Sequence, residues 1–347
     1  MSEEQPETAP IRKGDELDWP RLEEWLRGHV PELPADAMSV AQFPRGTANL
    51  TYRLAFGDLQ LVLRRPPFGK IAPGAHDMHR EHAILSKLWQ AWPCAPRAYA
   101  LCEETEVIGA PFVVSEYRSG GVVIFGEAPE SMAGLPDLGM RLAAAMADAL
   151  ADLHQVDYTA VGLSDLGKPE GFVERQVAGW RDRWRRVASA ECGARYEAMG
   201  ERLAEQMPRS GPPALVHNDY KLDNCQFLPG DPDRVVSVFD WDMATLGDPL
   251  VDVGICLSYW RFMRRAQSLG LHESRIFAQL YADRMGIDPD RLRWYEAFAD
   301  WRTGVAVQQL FDRFSKGNSA DQRLANLGRS VEEFIERAEA VMQGKPQ

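Results

Sequence analysis

Within His217-Asn218-Asp219-Tyr220-Lys221-Leu222-Asp223-Asn224 lie a carboxylate, an ammonium and a side-chain amide at short spacing. Transfer of a phosphoryl group needs a carboxylate that orients an attacking hydroxyl and accepts its proton, with an oxygen ligand for magnesium close by. Asp219, with Asn224 five residues on, can supply both from one loop after Leu215-Val216. Lys221 can set positive charge against the transferring group. Asp240 ends the apolar run Val235-Val236-Ser237-Val238-Phe239. A carboxylate at such a strand end can reach a magnesium ion that bridges phosphates. Each residue alone is a common turn former, so a hydrogen-bonded turn is the competing reading of any one of them. The combination argues for a site.

Arg64 and Glu81 form a second pair. Glu81 precedes Ile84, Leu85 and Leu88 at helical spacing, so it points with the apolar face, where an unpaired carboxylate is unfavourable. Arg64, after Leu61-Val62-Leu63, is the expected partner and could hold nucleotide phosphates; a purely structural ion pair is the alternative, and Arg65 is the rival for the phosphates. Gly46, Thr47 and Asn49, between two strand-like runs, could offer donors to phosphate oxygens or form an ordinary hairpin turn. No Gly-x4-Gly-Lys-Ser/Thr phosphate loop occurs. Gly247 to Asp252 reads as a helix start with Asp248 as N-cap, and Asp252 as a brace for the loop. His154, at the end of an amphipathic helix, reads as structural. Trp180 to Arg186 reads first as a solvated helix face and second as a clamp for an anionic substrate.

The elements that must position these residues change period along the chain. Asp18 to His29 is helical in spacing, Val40 to Arg65 reads as a small antiparallel sheet with a turn at Gly57-Asp58, and Met78 to Trp92 is helical again. Ala110 to Glu116 is a strand, and Gly120-Gly121 marks a hinge. Beyond Leu138 the pattern is mainly helical: Leu142 to Val156, Phe172 to Ala188, Tyr196 to Met207, Ser274 to Met285, Arg291 to Phe314 and Ala320 to Met342. Leu215 to Asp240 interrupts it with two β-rich runs around the polar motif. The expected organisation is α+β: a tail over 1–17, a β-rich N-lobe with one helix over 18–117, and a helical C-lobe over 118–347.

A chain of 347 residues with 45% hydrophobic and 26% charged composition can bury a sizeable core. Five scattered cysteines without CxxC spacing argue against a disulfide framework or a zinc site, and for a reducing cytoplasm. A net charge of −12 argues against nucleic acid as a partner, and no apolar stretch is long enough for a membrane span.

With these pieces in place, the chain resembles the aminoglycoside phosphotransferase-like family, whose fold is that of the protein kinases. The resemblance runs from about Val40 to at least Ser258 and is most specific over Leu215 to Asp252. Val216 to Asn224, Asp240 to Pro249, Val62 to Pro67 and Gln176 to Trp180 are similar to the subgroup often fused to, or encoded with, acyl-CoA dehydrogenases. The resemblance implies ATP and Mg2+ as cofactors, a small-molecule hydroxyl as acceptor, Asp219 as base, and Asn224 and Asp240 as metal ligands. It implies Glu81 as the helix-C glutamate, backbone groups of Glu116 and Arg118 at the adenine, and Gly46, Thr47 and Asn49 over the phosphates. Two departures are that the kinase strand lysine is Arg64 and that the glycine after Asp-Phe is Asp242. The subgroup suggests a hydroxyacid or hydroxyacyl-CoA as acceptor. An antibiotic kinase and a nucleotide-binding pseudokinase scaffold are the alternatives.

Overall fold

The computed structural model describes residues 8–30, 33–43, 49–69, 77–124, 126–189, 192–262, 274–317, 324 and 327–344. Its first helix, α1 (Trp19–His29), starts where the Asp18 carboxylate accepts the Arg21 N–H at 3.2 Å. A five-stranded antiparallel sheet follows, in spatial order β1 (Met38–Gln42), β2 (Leu50–Phe56), β3 (Leu59–Arg65), β5 (Phe112–Glu116), β4 (Ala98–Cys102). The expected turn at Gly57-Asp58 joins β2 to β3. Alternation then decides the two faces. Leu50, Tyr52, Leu54 and Phe56, with Leu61, Leu63 and Arg65, turn toward Leu22, Trp25 and Leu26 of α1. Burial of each such apolar side chain contributes about 1.5–3 kcal/mol. Arg64 emerges on the other face, against α2 (Met78–Leu88).

Between the lobes the chain is stitched. The Arg118 guanidinium donates to the carbonyls of Val236 at 2.8 Å and Ala95 at 2.9 Å, and to that of Pro93. Gln226 donates to the Arg118 carbonyl at 3.0 Å, and Val238 N–H to the Cys94 carbonyl at 2.8 Å. The sequence suggests a hinge at Gly120-Gly121, but Gly120 answers a packing demand. A Cβ there would lie 2.5 Å from Cγ of Gln226 and 2.7 Å from the Phe227 carbonyl.

The C-lobe is built on α4 (Leu138–His154), α5 (Phe172–Val187), α6 (Gly193–Glu205), α7 (Leu250–Phe262), α8 (Ser274–Met285), α9 (Leu292–Ser315) and α10 (Leu327–Met342). Helix α7 and strand β4 went unread beyond their edges. Helix α7 is apolar on every side, so no amphipathic period marks it. It crosses α9 so closely that a Cβ on Gly254 would sit 2.3 Å from the Tyr295 carbonyl oxygen. Of the helix expected from Ala320, residues 320–323, 325 and 326 lie outside those described.

Two small sheets carry the loops of interest. Strand β7 (Ala214–Val216) pairs with β10 (Thr245–Gly247), and β6 (Gly121–Val122), β8 (Cys225–Leu228) and β9 (Asp231–Val238) form the other. These pairings fold the 217–224 loop against the 239–244 segment.

Candidate active site

Strand register brings the acids together. Cys225 pairs with Val238, and the Phe239 N–H donates to the Asn224 carbonyl at 3.1 Å. Asn224 and the Asp240 position are thereby neighbours, although they are sixteen positions apart in the chain. From the other direction the Asn224 amide nitrogen donates to Asp219, at 2.9 Å to its carbonyl and 3.1 Å to its carboxylate. Lys221 Nζ holds the same carboxylate at 2.7 Å and lies 4.6 Å from the Tyr259 ring centroid. Burial opposes the charge on Lys221, but the Tyr259 hydroxyl, Asp219 and Asp240 outweigh it and raise its pKa. Lys221 is therefore a fixed cation at neutral pH.

Arg64 closes the site from the N-lobe. It donates to Glu81 at 2.7 Å and also to Asp240. Burial disfavours its charge, yet Glu81 and Asp240 more than compensate. In turn, burial works against an ionised Asp240, and the Arg64 guanidinium outweighs it, holding that carboxyl below its usual range. Arg65 faces away, with its guanidinium on the Ile108 carbonyl at 2.7 Å and 4.2 Å over the Phe68 ring. The one-residue difference in strand phase settles which arginine meets the cleft.

The loop backbone is braced from below. Fully buried Asp252 accepts the N–H groups of His217 and Asn218, each at 2.6 Å and on different oxygens. His154 shares a hydrogen bond with it at 3.2 Å and another with the Tyr281 hydroxyl at 2.7 Å. The expectation of a brace at Asp252 thus has its geometry, and His154 is structural. Asp248 caps α7 through the Leu250 N–H at 3.0 Å. Buried Tyr220 anchors the loop on α4 by donating to the Met146 carbonyl at 2.9 Å. Burial lowers the His217 pKa, keeping the imidazole neutral beside the Phe239 carbonyl at 3.0 Å.

The remaining expected residues lie as follows. Gly46 and Thr47 lie outside the described residues, and Asn49 is buried at the start of β2. The Glu116 N–H is taken by the Arg97 carbonyl at 2.8 Å, and its carboxylate accepts the Arg97 N–H at 3.0 Å. The Arg118 side chain is spent on the interlobe carbonyls named above. On α5, Trp180 and Trp184 are buried, while Arg181 and Arg185 each pair with Glu197 at 2.7 Å. The solvated-face reading therefore accounts for Arg181 and Arg185 but not for the tryptophans. Sequence reasoning missed Arg302 on α9, which donates to Asn218. Its signal was readable: it stands four residues after Phe298, on the apolar stripe with Trp294, Trp301 and Val305.

The donor set fits a hard cation. Among the described residues no three His, Cys, Asp or Glu side chains could hold a metal by themselves. Asn224 and Asp240 offer oxygen ligands of the kind magnesium takes when phosphates complete its shell. The negative charge here is in excess: burial and the neighbouring Asp240 push the Asp242 carboxyl up to about 7.

The class that this architecture defines is the kinase-like phosphotransferases, with a β-sheet N-lobe over a helical C-lobe. Residues 39–295 match the phosphotransferase enzyme family, and the chain belongs to it. Among curated proteins it is similar to acyl-CoA dehydrogenase family member 10 of Mus musculus, 32% identical over 96% of this chain and 32% of that protein. The chain thus spans about a third of that relative's length. Among solved structures it is similar to a candidate aminoglycoside phosphotransferase from Ralstonia eutropha, with a TM-score of 0.80 and 28% identity, covering 96% of this chain and 100% of that one. A thermostable mutant of aminoglycoside phosphotransferase APH(4)-Ia, in ternary complex with AMP-PNP and hygromycin B, shares the fold at a TM-score of 0.60 and 19% identity, covering 93% and 98%. No described helix is long and apolar enough to cross a membrane.

Proposed function

We propose that this phosphotransferase moves the γ-phosphoryl group of ATP to the hydroxyl of a small hydroxyacid or hydroxyacyl-CoA. The observation that carries the phosphoryl-transfer reading is the meeting of two hydrogen-bonded clusters, Asp219 with Lys221 and Asn224, and Arg64 with Glu81 and Asp240, set side by side by the Phe239 N–H on the Asn224 carbonyl. Asp219 orients the acceptor hydroxyl and takes its proton as the oxygen bonds to the γ-phosphorus. The bond from that phosphorus to the bridging oxygen breaks, and ADP leaves with the electron pair. Lys221 sets fixed positive charge beside the reacting oxygens. Asn224 and Asp240 hold Mg2+, which when bound neutralises charge on the phosphates. Arg64 keeps Asp240 ionised and aimed into the cleft, with Glu81 fixing the arginine in turn.

The acceptor class rests on different support. The similar curated protein is named an acyl-CoA dehydrogenase family member, which makes an acyl compound the first acceptor to try. The Arg183 guanidinium lies over the Trp180 ring at 4.5 Å, a surface suited to an anionic group.

The test is ADP release from magnesium-ATP over a panel of hydroxyacids, hydroxyacyl-CoAs and aminoglycosides, with natural protein and Asp219→Asn. Loss of a positioned base lowers turnover about 10²–10⁴-fold, while ATP affinity stays within about twofold. Turnover only with aminoglycosides would refute the acyl reading. No turnover with any acceptor, alongside tight ATP binding, would favour a pseudokinase scaffold instead.

A further inference from the structure

Asn218 precedes the proposed base and has a left-handed backbone, φ 66°. Asparagine tolerates that region better than most residues but does not prefer it, so something must hold it there. Every polar group of Asn218 is engaged. Its N–H goes to Asp252 at 2.6 Å and its side-chain nitrogen to the Met243 carbonyl at 3.3 Å. Its two oxygens are taken by one group: Arg302 donates Nη1 to the side-chain oxygen and Nη2 to the backbone carbonyl, both at 2.9 Å.

Arg302 itself is unusual. It is 7% exposed, and no described carboxylate lies within ion-pair distance of it. Burial lowers its pKa, against the favourable fields of Asp219, Tyr259 and Asp252. The Trp180 ring covers the guanidinium at 5.2 Å. A desolvated arginine with no described carboxylate at ion-pair distance depends on the hydrogen bonds that its planar fork makes. One N–H of each Nη group goes to Asn218, which turns the fork onto the loop backbone and side chain together.

We infer that Arg302 is a positioning residue that locks Asn218 in its left-handed conformation and so aims the Asp219 carboxylate. Arg302 and Asp252 grip Asn218 through its two flanking peptides, the aspartate on the 217–218 amide and the arginine on the 218–219 carbonyl. This role rests on the phosphotransferase reading for its effect on turnover, but the grip itself is measurable without it.

The probe for turnover is magnesium-ATP alone, with water as acceptor. Arg302→Met lowers ADP release about 10- to 100-fold, because a reacting group displaced by about 1 Å loses that much. The KM for ATP stays within about twofold. Glycine adopts positive φ without support, so in an Asn218→Gly background the same Arg302→Met change lowers release by less than about threefold. Equal losses in both backgrounds overturn the inference. Hydrogen exchange gives the second reading: Arg302→Met speeds exchange at the amides of residues 217–219 at least about tenfold and leaves other protected amides unchanged. Uniform acceleration, or none, overturns it. If Arg302→Met does not fold, Arg302→Lys carries the same cycle, since lysine keeps the charge and loses the fork. Absence of ATP turnover in the natural protein with water and with every acceptor of the panel would sink the phosphotransferase reading, and hydrogen exchange would still decide the grip.

Discussion

Replacing Asp252 by Asn is the sharpest test of how this loop is held. Asp252 is fully buried, and its two oxygens accept the N–H groups of His217 and Asn218 at 2.6 Å each. Asparagine keeps the volume but presents one acceptor and one donor. One loop amide must then face an N–H group and lose its partner, which costs about 1–3 kcal/mol for a buried donor. The other amide keeps a bond that is no longer charge-assisted, a further loss of about 1 kcal/mol. The expected destabilisation is therefore about 2–4 kcal/mol. Urea unfolding followed by tryptophan fluorescence measures it, with Asp219→Asn as comparison. Asp219 is only partly buried, its Asn replacement still offers Lys221 an oxygen, and the Asn224 amide keeps the Asp219 carbonyl, so it should change stability by less than about 1 kcal/mol. The same displacement of Asn218 should lower turnover of Asp252→Asn about 10²-fold. A stability within about 0.5 kcal/mol of the natural protein would refute the brace, because it would mean neither amide depended on the carboxylate.

Three further outcomes follow from the geometry. Arg64→Met strands the Glu81 and Asp240 carboxylates against each other, and breaking a buried pair of this kind costs about 3–5 kcal/mol. Partial exposure of Asp240 places the value toward the lower end, and an unchanged melting temperature would contradict the network. Gly254→Ala drives a methyl group into the Tyr295 carbonyl, a backbone atom that cannot swing aside. The cost is at least about 1–3 kcal/mol, read from the urea midpoint, and a neutral effect would mean that α7 and α9 are not packed this closely. Removing magnesium with a chelator abolishes ADP release while Asn224→Ala weakens its metal dependence, shifting the magnesium concentration for half-maximal rate upward by at least about tenfold.

Much of the fold was legible in the sequence where a period was present. Spacing marks α1, α2 and the helices from Phe172 and Ser274, because each has one apolar and one polar face, and the Gly57-Asp58 pair marks the turn between two strands. Helix α7 was not, since burial on every side erases the period that betrays a helix. Strand β4, Ala98-Tyr99-Ala100-Leu101-Cys102, lacks the β-branched residues that mark a strand and was passed over. Gly120, expected at a hinge, also meets a demand that spacing does not show: Gln226 and the Phe227 carbonyl leave no room for a Cβ.

The sequence by itself determined the reactive set. Asp219, Lys221 and Asn224 lie within six consecutive positions, so local chain geometry alone obliges them to share a loop. The need of Glu81 for a cation was legible too, because helical spacing put it on a buried face, and the end of β3 offered Arg64 and Arg65 as partners. Only the tertiary structure decided the rest. Arg64 rather than Arg65 meets Asp240 because strand phase turns alternate residues to opposite faces. Asp252 and Arg302 reach the same residue, Asn218, from helices that are remote in sequence, and no spacing rule records a contact made across the core. Short-range chemistry is written in order along the chain; the aim of that chemistry depends on distant residues whose approach only packing defines.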